Sequence, residues 1–208
     1  MTTRTYINMI RINPDVDFWV SDTPVTQAFY QKVMGTNPSM YPGEEERPVE
    51  SVSWYGAIAF CNKLNEARGL KAYYDDKGNI LDVFNNTSFR LLTQEEWSVA
   101  AYDKNNLYAG TNTVNNLNKF ALYRRQNVMS TQKVKSYKPN SYGLYDMCGN
   151  VWEWVHTKYG IRGDKRILMG GGFDTSNVYM RKGRYGRDDA TLCSHNVGFR
   201  ICQGSLLK

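Results

Sequence analysis

The sequence predicts an irregular α+β domain. Three observations point to it: three short, well-capped helical stretches in the first half, a long polar middle with no periodicity, and a cluster of short β-like runs after Leu144. At 208 residues the chain suits one domain spanning 1–208. The apolar fraction of 41% and the charged fraction of 22% are ordinary for a globular protein with a sizeable core.

Each element has a local reason. Thr23 is the expected N-cap of the first helix, Pro24 its first position, and Gly35 the stop after "VTQAFYQKVM". The second helix is expected to start at Ser53, with Trp54, Ile58, Cys61 and Leu64 on one face and Gly69 as terminator. "KAYYDDKGNILDVF" reads as a hairpin turning at residues 75–79. In "RLLTQEEWSVAAYD", Thr93 and Glu96 are spaced as a capping box, so a third helix follows. Residues 103–140 read mainly as loop. "NVWEWV", "RILMGGGF" and "VGFRIC" read as strands.

Bulk properties exclude several classes. No stretch approaches 18 apolar residues, so no membrane span is expected. The start, "MTTRTYINMIRINPD", has no apolar leader region. The net charge of +6 steers weakly toward anionic partners without indicating nucleic acid. Cys61, Cys148, Cys193 and Cys202 have no metal-ligand spacing and are expected as free thiols. No phosphate-binding glycine loop or Ser-His-Asp order occurs. Asp188-Asp189 lies in an irregular stretch and is no strong candidate for a catalytic dyad.

Five ordered blocks go beyond pattern: "PVESVSWYGAIAFCNKLN" (48–65), "FRLLTQEEWSVAA" (89–101), "YKPNSYGLYDMCGNVWEWV" (137–155), "LMGGGF" (168–173) and "NVGFRIC" (196–202). Together the chain resembles the formylglycine-generating enzyme, or sulfatase-modifying factor, family from about Thr23 to Cys202. The resemblance implies that family's C-type-lectin-like fold, with little regular secondary structure. Trp54, Trp97, Trp152 and Trp154 are then expected as core anchors. Two blocks depart from the family: Arg90-Leu91-Leu92-Thr93 replaces Arg-Leu-Pro-Thr, and Met169-Gly170-Gly171-Gly172 replaces Arg-Gly-Gly-Ser.

The family's enzymes use two cysteines, five positions apart, that bind copper. The corresponding positions here are Met180 and Tyr185. A related iron-dependent branch uses a histidine triad, whereas this chain has only His156 and His195. The resemblance therefore points to the family's non-catalytic members, among them the variable proteins of diversity-generating retroelements. Those proteins vary surface residues between the Gly-Gly motif and Gly-Phe-Arg, through codons of the form NNY. Only Met180 and Lys182 of the 23 residues from Asp174 to Asn196 are of types that NNY codons cannot encode. Ordinary usage gives about four or five.

The expected ligand face comprises Asp174, Thr175, Val178, Tyr179, Arg184, Tyr185, Arg187, Asp188, Asp189, Leu192 and His195. Tyr179 and Tyr185 would be its anchors, and the arginines would favour an anionic epitope. The partner is expected to be a protein or cell-surface ligand, with a phage particle or bacterial surface as the setting and the cytoplasm as the alternative. No cofactor is required. The family resemblance also implies a structural calcium through Gly149, Val151 and Glu153. The alternative is a copper-dependent oxidase or other altered enzyme of the same fold. That reading would make Cys193 a buried thiol of low pKa.

Overall fold

A computed structural model describes residues 7–13, 16–103, 105–124 and 128–204. Met1–Tyr6, on which part of the leader expectation rests, lie outside the described residues. So do residue 104 and residues 125–127 of the expected central loop.

The chain opens with an antiparallel hairpin, β1 (Met9–Asn13) and β2 (Val16–Ser21). Three helices follow: α1 (Gln27–Met34), α2 (Trp54–Ala67) and α3 (Gln94–Ala101). The C-terminal third carries β3 (Trp152–Lys158), β4 (Lys165–Met169), β5 (Gly186–Asp189), β6 (Val197–Phe199) and β7 (Cys202–Gly204). One sheet has the order β1-β2-β7, so the two ends of the domain pair with each other. The second has the order β5-β4-β3-β6, with β6 parallel to β3.

Local signals placed α2 and α3 correctly. The Ser53 side chain accepts from the Gly56 N–H, and Thr93 and Glu96 form the capping box. The first helix starts later than expected, with Thr26 rather than Thr23 as its cap. Pro24 lies before it because Val25 is held extended: its N–H donates to the Phe199 carbonyl and its carbonyl accepts from Val49. Gly35 closes the helix at φ 81°, a left-handed conformation that costs glycine little. The expected hairpin at 71–84 shrinks to one bridge, Tyr74 to Ile80. Both Tyr73 and Tyr74 are buried rather than alternating. Strands β1, β2 and β5 were not anticipated. In β2 the alternation is real, with Phe18 and Val20 buried and Trp19 exposed between them.

Two buried ion pairs tie these elements together. Arg90 forms a two-pronged pair with Glu96, both contacts at 2.6 Å, and also donates to the Gly204 carbonyl in β7. Glu96 is the capping-box residue as well, so one carboxylate closes a helix and neutralises a buried guanidinium. Arg200 pairs with Glu153 through Nε and Nη2, both at 2.7 Å, and donates to the Ser21 and Tyr145 carbonyls. The sequence blocks at 89–101, 137–155 and 196–202 thus meet at one point, because Trp97 Nε1 also donates to Glu153, at 2.6 Å.

Candidate functional site: a presented segment on a fixed scaffold

Residues 174–196 leave the core after three glycines and return to it at β6. The exit is a tight turn. The Thr175 hydroxyl accepts from the Gly172 N–H, and the Thr175 N–H donates back to the Gly172 carbonyl. Gly170 and Gly171 sit at φ 86° and 81°. A Cβ on Gly171 would lie 2.9 Å from the Met180 side chain. The two ends of the segment are clipped together. Asn196 Nδ2 donates to both Asp174 oxygens, at 3.0 and 3.1 Å, and His195 Nε2 lies 3.6 Å from the same carboxylate. The His195 ring meets Tyr41 and Phe173 edge-on.

Between these ends the chain rises to the surface. Asn177–Met180 is one turn of 3-10 helix. It turns Val178 and Tyr179 outward, 43% and 54% exposed, and buries Met180 completely. The Met180 carbonyl accepts from Tyr102 Oη, and the Lys182 N–H donates to the Leu107 carbonyl. β5 then forms the edge of its sheet, antiparallel to β4. Its side chains alternate. Arg187 stands over the Tyr159 ring at 4.2 Å, and Tyr185, just before the strand, lies 6.4 Å from the same ring. Gly186 and Asp188 face the other way, with Gly186 packed close to the Trp152 indole.

The eleven expected face residues therefore divide. Val178, Tyr179, Arg184, Tyr185, Arg187 and Asp189 are exposed. Asp174, Thr175, Asp188, Leu192 and His195 are half-buried. Asp174 and Thr175 shape the exit turn and the clip, Leu192 packs on the core around α2, and Asp188 accepts from the Asp189 N–H. The exposed six are joined by the half-buried Tyr159, which directly follows β3 and was not among the expected residues. No sequence signal marked it, because β3 turns polar at His156, Thr157 and Lys158 just before it. Trp152, expected as a core anchor, is only half-buried, unlike Trp54, Trp97 and Trp154.

The expected calcium ligands do not fit a cation in this arrangement. Both Glu153 oxygens are occupied by Arg200, and one also by Trp97, so the charge a cation would need is already neutralised. Gly149 instead serves close backbone approach. A Cβ there would sit 1.9 Å from the Leu122 carbonyl oxygen. Among the described residues, no three His, Cys, Asp or Glu side chains gather as a metal site.

Three of the four thiols are placed for structure. Cys61, Cys148 and Cys202 are buried, and burial raises the pKa of all three, to about 12 for Cys148. Cys193 is exposed, not buried as the oxidase alternative required. His156 is half-buried, with its ring against those of Trp54 and Tyr74. Desolvation, with Arg166 and Arg90 nearby, pushes its pKa down to about 4, so it is neutral.

A profile described as the sulfatase-modifying factor enzyme 1-like domain matches residues 9–204, nearly the whole chain. The protein belongs to this family. Treponema denticola variable protein 1 superposes with a TM-score of 0.79 and 31% identity, over 90% of this chain and 84% of that one. The C-type-lectin-like α+β fold expected from the sequence blocks is thereby shown. Chaperone protein LppX of Paenibacillus barcinonensis is 30% identical over 223 residues, covering 89% of this chain and 79% of LppX. The inactive C-alpha-formylglycine-generating enzyme 2 of Mus musculus is 30% identical over 213 residues, covering 92% of this chain. The chain spans only 59% of the mouse protein's length. In this sulfatase-modifying-factor domain, three of the five sequence blocks, at 89–101, 137–155 and 196–202, meet at Glu153. No described helix is long and apolar enough to cross a membrane.

Proposed function

We propose that this protein is a non-enzymatic binding protein. It presents residues 178–189, with Tyr159, as a variable ligand surface on a fixed family scaffold. The single observation that carries the reading is the division within the segment. Met180 and Lys182, the two residues that NNY codons cannot encode, are tied down. Met180 is fully buried, whereas Lys182 is exposed and is held by its backbone N–H, which donates to the Leu107 carbonyl, and by its Nζ, which donates to the Asp103 carbonyl. On either side of them lie Val178, Tyr179, Arg184, Tyr185, Arg187 and Asp189, all exposed and all of types that NNY codons allow.

The absence of thiols at positions 180 and 185 supports a non-catalytic role. So does the similarity to two relatives known by name as an inactive enzyme and a chaperone. The composition of the face also favours binding. Tyr179 and Tyr185 offer large contact area at low entropy cost, and Arg184 and Arg187 suit an anionic or carboxylate-bearing epitope on a protein or cell surface.

The test is to read the coding DNA for residues 174–196 and search its flanks for a near-copy. A copy that differs only where it holds adenine, at the codons of the exposed residues, confirms the reading. If the flanks hold no copy, or the differences fall on buried codons such as that of Met180, the segment is not diversified.

A further inference from the structure

A second concave site lies away from the presented segment, between α1 and the C-terminal end of α2. Its volume is about 460 Å³, within the usual range for small-ligand sites. Phe29 and Val33 of α1 and Leu64 and Ala67 of α2 form an apolar floor. The rim is cationic. Lys63 reaches across the cleft, its Nζ 3.4 Å from the Met34 carbonyl oxygen, which holds an ammonium over the apolar floor. Lys32 and Arg68 flank it, and Glu66 is the one acidic residue of the lining.

Cations near helix C-termini are common, because they answer the carbonyls there. What they do not account for is the apolar hollow beneath them. Its contacting residues span about one turn of each helix. A partner helix docking in a groove needs anchors spaced i, i+3, i+4 and i+7, over two turns or more. The footprint instead suits one apolar group carrying one anionic head.

We propose that the α1–α2 cleft binds a small organic anion with an apolar body, of the medium-chain carboxylate class. The tail lies on Phe29 and Leu64, and the head meets Lys63 and Arg68. This site is separate from the binding reading above and stands without it.

The test is calorimetric titration of the full chain with octanoate, with octanol as the uncharged comparison. Saturable one-to-one binding is expected, at least tenfold weaker for octanol. Ala67→Trp, at an exposed position, fills the cleft and should weaken octanoate at least tenfold with an unchanged melting temperature. Lys63→Glu should do the same, whereas Lys119→Glu, outside the cleft, should not. No saturable binding, or binding that survives Ala67→Trp, overturns the site. Equal affinity for octanol overturns the anionic class. Saturable, Ala67-dependent binding of an acidic helical peptide in place of octanoate overturns the small-ligand assignment.

Discussion

The anchor around Glu153 and the segment from Val178 to Asp189 lie in the same third of the chain but follow opposite rules. At the anchor, every polar atom has a specified partner. Glu153 takes three short hydrogen bonds from Arg200 and Trp97, and Arg200 reaches two further carbonyls. On the segment, the side chains of Val178, Tyr179, Arg184 and Asp189 face solvent, and the backbone is held by a few bonds to Leu107, Arg181 and β4. The contrast shows how this fold separates identity from geometry. Buried polar networks fix the path of the chain, and side chains on the outer face can then change without moving it.

The largest effect should come from breaking the anchor. Glu153→Gln leaves the Arg200 guanidinium buried without its counter-charge and should cost about 3–5 kcal/mol. Chemical denaturation measures this directly, and a loss under about 1 kcal/mol would mean the pair is not the organising contact.

Next in size is a pH effect. Folded His156 resists protonation until about pH 4, whereas an unfolded histidine takes up a proton near 6.5. Its contribution is fully present above pH 6.5 and is lost as pH falls toward 4, up to about 3 kcal/mol. Asp146 acts in the opposite sense. Burial raises its pKa to about 6, so its ionisation costs stability as pH rises through that value. His156→Phe should therefore flatten the acid limb of stability between pH 6.5 and 4. An unchanged limb would place its origin elsewhere.

Thr93→Ala removes half of the capping box but leaves the Arg90–Glu96 pair. It should cost about 1 kcal/mol, read as a lowered melting temperature. A much larger loss would show that the cap and the buried pair act as one unit. Smallest of all, Tyr179→Asn, Tyr185→Ser and Asp189→Ser should each stay within about 0.5 kcal/mol. A larger cost at Tyr185 would mean that its approach to Tyr159 holds β5 in place.

What was legible in the sequence follows the same division. Ser53, Thr93 with Glu96, and Gly35 act over three or four residues, so their spacing revealed α2, α3 and the end of α1. The start of α1 was misplaced because Val25 is held by Phe199, which no local rule shows. The N-terminal hairpin and β5 were hidden for a related reason. β2 finds its partner β7 across nearly the whole chain, and β5 is a four-residue edge whose exposed alternation looks like a polar loop. The blocks around Glu153 and Arg200 were conspicuous, but their meeting was not, because 47 positions separate the pair. At the site, composition marked the right segment. It could not separate Thr175, spent on a turn, from Tyr179, which faces solvent. Nor could it foresee that Arg200 would occupy the carboxylate expected to hold calcium.

The most direct measurement is to randomise Val178, Tyr179, Arg184, Tyr185, Arg187 and Asp189 together and record the melting temperature of the resulting variants. A matched library at Met180, Glu153, Arg200 and Trp97 serves as the reference. A free presented surface on a fixed scaffold predicts near-parental melting for most of the first library and loss of cooperative unfolding for most of the second. If the first library unfolds as readily as the second, residues 178–189 are part of the scaffold and the division between the two regions does not exist.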